Sequence, residues 1–103
     1  MTDARHVTAL VDAEIAALDG TTRANRLLLQ DFARLRVRRP HPVTVQFSGG
    51  FFQTCWTVTR SDGAWSVLFM PQAGYFTLCA DSDFGPLDIG VHGPALQVFD
   101  SVR

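Results

Sequence analysis

The chain has 103 residues, 47% of them hydrophobic, and a formal net charge of −1; that is one domain's length with enough apolar matter for one core, which excludes a disordered tail. Two cysteines exclude a disulfide framework, and no run approaches the ~20 apolar residues of a membrane span. The opening segment, Met1 to His6, has mixed charge rather than the apolar run of a secretory leader, so a cytoplasmic protein is expected.

The net charge hides an asymmetry. Positions 20–60 carry seven Arg against Asp31 alone, and positions 61–103 carry five Asp against Arg103 alone. A dipolar surface of this kind can steer a partner or a second copy, but it is not the uniform field of a polyanion binder.

The first predicted element is a helix over about 3–18. Thr2 or Asp3 can cap it, and Val7, Leu10, Val11, Ile15 and Leu18 form one apolar stripe at three- and four-residue steps. Gly20 is a stop signal. A second helix is predicted over about 23–37, capped by Thr21 or Thr22, with Ala24, Leu27, Leu28, Phe32 and Leu35 as its stripe. The link is short, so the pair should form an antiparallel hairpin. Pro40 and Pro42 then end helical structure. Glu14 and Asp31 interrupt the stripes and are expected at their edges, meeting Arg26 or Arg34.

From Pro42 the period changes to two. Val43, Val45 and Phe47 alternate with polar residues, and Gly49-Gly50 signals a hairpin. Further alternating runs place Phe52, Trp56 and Val58, then Trp65, Val67 and Phe69, then Phe76, Leu78 and Ala80, then Leu87, Ile89 and Val91 on one face. Leu96 and Val98 read as a closing strand after a turn at His92-Gly93-Pro94. Short links join antiparallel neighbours. The predicted fold is therefore a single α+β domain over 1–103, with an N-terminal antiparallel helical hairpin packed on one face of a five- or six-stranded antiparallel meander, its strands lying between about 42 and 99.

The opposite face of that sheet would carry Phe51, Gln53, Cys55, Thr57, Leu68, Met70, Tyr75, Thr77 and Cys79. It has almost no formal charge and reads as neither a solvated face nor a second core. Such a surface meets a subunit, a partner or a ligand in a curved sheet; the plainer reading is a mixed surface on which strand propensity favours Thr. Cys55 and Cys79 fall on alternate strands of the meander, about 10 Å apart, beyond the ~7 Å that a disulfide spans, so both should be free thiols.

The chemistry-bearing constellations are sparse. Arg34, Arg36, Arg38 and Arg39 form a basic patch at the end of the second helix, where the dipole favours cations. Their spread around the helix and the acidic remainder of the chain argue against nucleic-acid binding. His6, His41, His92 and the two Cys lack ligand spacing, so no metal and no cofactor are expected. Asp81, Asp83, Asp88 and His92 are the acid–base candidates, with Asp88 four residues before His92 and able to orient it. No phosphate loop or nucleophile elbow appears.

The stretch Val43-Thr-Val-Gln-Phe-Ser-Gly-Gly, after a helix and before further short strands, resembles the first hairpin of Sm-like RNA-binding barrels. The Asp and Asn pattern through which that family contacts RNA is not evident here. Helices leading into a curved sheet are similar in shape to cystatin-like and NTF2-like folds, which implies nothing about activity. The functional expectation is a non-enzymatic interaction module, a homodimer or the partner of another protein, working through Phe51, Gln53, Cys55, Leu68, Met70, Tyr75 and Thr77 or through an exposed sheet edge, without membrane contact. Its alternatives are a ligand-binding or enzymatic domain with a pocket near Asp88 and His92, and nucleic-acid binding at the Arg34–Arg39 end.

Overall fold

The computed structural model describes residues 2–103. Helix α1 spans Ala4–Ala17 and α2 spans Arg23–Leu35. The Asp3 carboxylate accepts from the His6 amide and the Thr22 hydroxyl from the Asn25 amide, so each helix starts on a side-chain cap. Helix α2 ends two residues before its predicted limit because the chain beyond it pairs as a strand. Arg36 bridges Thr59, the Val37 amide donates to the Val58 carbonyl and the Arg60 amide to the Leu35 carbonyl. No helix among the described residues is long and apolar enough to cross a membrane.

Five strands follow: β1 Pro42–Phe47, β2 Phe51–Thr57, β3 Trp65–Met70, β4 Tyr75–Ala80 and β5 Leu87–Gly93. Consecutive strands pair antiparallel, as the short turns require. The first turn is Ser48-Gly49-Gly50 between the paired Phe47 and Phe51, and both glycines have positive φ, +86° and +80°. Only residues without a Cβ take such angles at no steric cost.

The sheet is not open. It closes into a barrel in the order β1-β2-β3-β4-β5, with Gln46 of β1 beside Leu87 of β5. A meander of an odd number of strands brings its first and last strands together in the same direction, so this closing pair is parallel. The stagger is large. Following the pairs from Pro42 to Trp56, Phe69, Phe76 and Gly93 leads to the far end of β5, whereas closure is made at its beginning. Few strands close only with strong tilt and shear of this kind.

Closure gives the sheet two apolar faces and the protein two cores. Outside the barrel, Val58, Val67, Phe69, Phe76 and Leu78 pack under the helices with Val7, Val11, Leu28 and Phe32. This is the helix-facing set that alternation predicted, although Phe52 and Ile89 of the same phase are exposed. Inside it, Val45, Cys55, Leu68, Met70 and Cys79 form a separate buried cluster. The face expected to point outward is therefore the barrel's interior. It is a second core after all, which removes Cys55, Leu68, Met70 and Thr77 from any surface. Small side chains, Val45, Cys55 and Cys79, alternate there with the larger Leu68 and Met70, which together fill the narrow interior of a five-stranded barrel.

The predicted sixth strand is a helix, α3, Ala95–Asp100. Ala95, Leu96, Val98 and Phe99 are all buried, which is helical spacing; Leu96 and Val98 alone imitate alternation. Helix α3 packs against α1, α2 and strands β3 to β5, and Phe99 meets Phe32 edge-on with ring centroids 5.2 Å apart. The helical hairpin thus grips the barrel largely through α3.

Glu14 explains how α3 is held. It does not meet Arg26 or Arg34. Its two oxygens accept from the Ala95 and Leu96 amides at 2.8 and 3.0 Å, so α1 caps a helix 81 residues further along the chain. Helix α3 has no capping side chain of its own. Glu14→Ala should destabilise the protein by about 1–2 kcal/mol, read by chemical denaturation. Ala16→Gln, at an exposed position of the same helix, is the control and should be nearly neutral.

Candidate functional site

The sequence candidates Asp88 and His92 meet. Asp88 lies on β5 opposite Cys79, and His92 lies opposite Thr77. The His92 Nε2 is 3.0 Å from Asp88 Oδ1. Residues four apart on a regular strand lie about 13 Å apart along it, too far for this contact. A bulge brings them together. The β4–β5 register shifts between Thr77 and Cys79, and Gly90, with φ +81°, donates its amide to Asp88 Oδ2 at 3.2 Å. Glycine in a strand is a signature of such a bulge.

The same carboxylate also accepts a hydrogen bond from the Thr77 hydroxyl. Asp88 is buried with three donors around it, which offsets much of the cost of a carboxylate inside a barrel. The His92 ring stacks on Tyr75, centroids 4.3 Å apart and planes 13° from parallel, and its side chain is 32% exposed. With Nε2–H donating to Asp88, Nδ1 is left as a hydrogen-bond acceptor. The pair has the arrangement of an oriented base.

A nucleophile is not poised beside it. Cys55 and Cys79 are free and buried. Burial, then the negative charge of Asp88, pushes the Cys55 thiol up to about 11 and the Cys79 thiol up to about 12. Both stay protonated at neutral pH, and the thiolate is the reactive form. Among the described residues, no group of three or more His, Cys, Asp or Glu is placed to hold a metal. Asp81 and Asp83 lie away from the pair, on the exposed β4–β5 connection, where the Asp81 carboxylate accepts from the Ser61 hydroxyl.

The Arg patch is divided by the fold. Arg36 pairs with Asp12 at 2.8 Å and Arg34 with Asp31 at 3.6 Å. Asp31 thus meets one of its two expected partners, and it also holds Arg103 at 2.7 Å. Arg38 and Arg39 line a shallow groove with Arg5 of α1. The four Arg do not form one face.

The feature that alternation alone did not reveal is the far end of β2. Strand β1 pairs with it along its length, but β3 meets it only at Trp56 and Thr57. Among the described residues, Phe51–Thr54 have no strand on their other side. Phe51 and Phe52 are 68% and 61% exposed there. Of the residues expected to form an interaction surface, Phe51 remains open and Gln53 half-buried, while Tyr75 is half-buried against His92. Of Val43 to Thr59, not one carries a formal charge. Compared with known proteins, the chain matches no family model, no curated protein and no solved structure.

Proposed function

We propose that this chain is a small non-enzymatic interaction module that pairs with a second copy of itself along the open edge of β2. The observation that carries the reading is an uncovered, uncharged edge bearing two exposed phenylalanines. Proteins protect open edges with charges, proline or bulges, because unpaired backbone groups invite another strand. None of these devices interrupts Phe51–Thr54. Such an edge binds by strand addition, with backbone hydrogen bonds for affinity and alternate side chains for specificity.

A second copy suits it better than a charged partner. An antiparallel pairing of two β2 strands can place Phe52 of one copy opposite Thr54 of the other, on the same face of the joined sheet, with no like charges to repel. The exposed rings then leave water. Sedimentation velocity at micromolar concentration should show a dimer, and Phe52→Lys should raise its dissociation constant at least about tenfold. Far-ultraviolet circular dichroism should be unchanged, because the Phe52 side chain is largely in water. A wild-type chain that stays monomeric at high micromolar concentration overturns the reading, as does a Phe52→Lys dimer of unaltered affinity.

A further inference from the structure

A cleft lies between α2, α3 and the first residues of β3, at the opposite end of the barrel wall from the β2 edge, since Phe51–Thr54 run past Met70 whereas the cleft is lined at Trp65. We propose that it binds a single-ring aromatic molecule carrying a negative charge.

Size is the first argument. The cleft holds about 160 Å³. An apolar cavity of ~150 Å³ in a protein interior accepts one benzene ring, so the volume of the cleft suits a single ring. Lining is the second. Val67, Leu78 and Phe99 form a buried floor, and Leu35 and Trp65 stand beside it. A flat apolar ring gains contact on these surfaces and can stack or pack edge-on against Trp65.

Charge is the third argument. Four charged side chains surround the mouth: Asp31, Asp62, Arg34 and Arg103. Arg103 is held by Asp31 at 2.7 Å and by Asp100 at 2.9 Å. Asp62 Oδ1 accepts from the Ala64 and Trp65 amides at 2.9 and 2.8 Å. Asp31 already faces two guanidinium groups. Arg34 is different: its side chain is 70% exposed and its only ion pair is long, 3.6 Å. It is the charged group with the most donors left to offer, and a guanidinium offers them as a fork that suits a carboxylate. A cationic ligand would instead have to compete with Arg34 and Arg103 for Asp31.

The test is a two-dimensional ¹⁵N–¹H titration of the intact protein with benzoate, benzyl alcohol and benzamidinium. Benzoate should cause saturable shifts at the Trp65, Ser66 and Phe99 amides and the Trp65 indole, with a dissociation constant of about a millimolar or below. Benzamidinium should bind more weakly. Arg34→Gln should weaken benzoate about tenfold and leave benzyl alcohol unchanged. Val102→Trp, placed at the exposed mouth, should block all three. The proposal is overturned if benzoate produces no saturable shift at these amides, if benzamidinium binds as tightly as benzoate, or if Arg34→Gln binds benzoate as well as the wild type. These readouts do not depend on whether β2 pairs with a second copy.

Discussion

Phe32→Ala is expected to cost about 3–5 kcal/mol, a large part of the ~5–15 kcal/mol that holds a domain folded. Phe32 is 1% exposed. It stands where α2, α3 and the barrel's outer face converge, with its ring edge-on to Phe99. Truncation removes the transfer free energy of the ring and leaves a cavity that the surrounding side chains cannot collapse into, since they are anchored on a closed barrel. Leu27, earlier on the same helix and on the same predicted stripe, is 43% exposed; Leu27→Ala should cost under about 1 kcal/mol. Equilibrium urea denaturation distinguishes the two. A Phe32→Ala loss no greater than that of Leu27→Ala would mean that α2 is not docked as described.

Stability should also fall on the alkaline side, through the two barrel cysteines. Their ordinary value is 9.0, and the fold raises them to about 11 and about 12. Above pH 9 the unfolded chain's thiols release protons while the folded chain's retain them, so the unfolded state binds fewer protons and gains relative stability. The contribution is complete below the unfolded value and is lost as pH rises through the folded values. Between pH 9 and pH 11 the loss should be on the order of 3–5 kcal/mol. Denaturation midpoints measured across that interval should fall steeply for the wild type and much less for the double variant Cys55→Ala, Cys79→Ala. Tyr75 is present in both, so the difference isolates the thiols. Parallel alkaline slopes would remove the cysteines as the cause. The same burial predicts that thiol reagents at neutral pH label the protein only as fast as it opens.

Asp88, Thr77 and His92 satisfy one another in the barrel wall, with the His92 side chain still 32% exposed, and the buried cysteines act as small apolar side chains.

Local information was enough for the elements whose causes are local. The cap at Asp3, the cap at Thr22 and the stripes through Val7, Val11, Leu28 and Phe32 are set by hydrogen bonds and periodicities that span a few residues. Alternation likewise sorted Val67, Phe69, Phe76 and Leu78 onto the helix-facing side, because side chains on a strand can only point to one face or the other. The last element escaped because its six residues are too few to separate a period of two from one of about 3.6, and Leu96 with Val98, read without Ala95 and Phe99, matches the period of two.

What covers the second face was beyond the reach of alternation. Period two says which residues share a face, not whether that face meets helices, a partner or its own continuation. Val45, Cys55, Thr77 and Cys79 were a clue in their small size, but only closure between Gln46 and Leu87 turns them inward. Several long-range contacts share this dependence. His92 reaches Asp88 only through the bulge at Gly90. Glu14 becomes a cap only when α3 is brought across 81 residues of chain, and the open edge of β2 exists only because β3 stops pairing at Trp56. Sequence by itself determined the first two helices, the five strands and which strand residues share a face. The tertiary structure decided which groups meet, because contacts between distant segments depend on the shear and closure of the whole barrel, which no short-range pattern encodes.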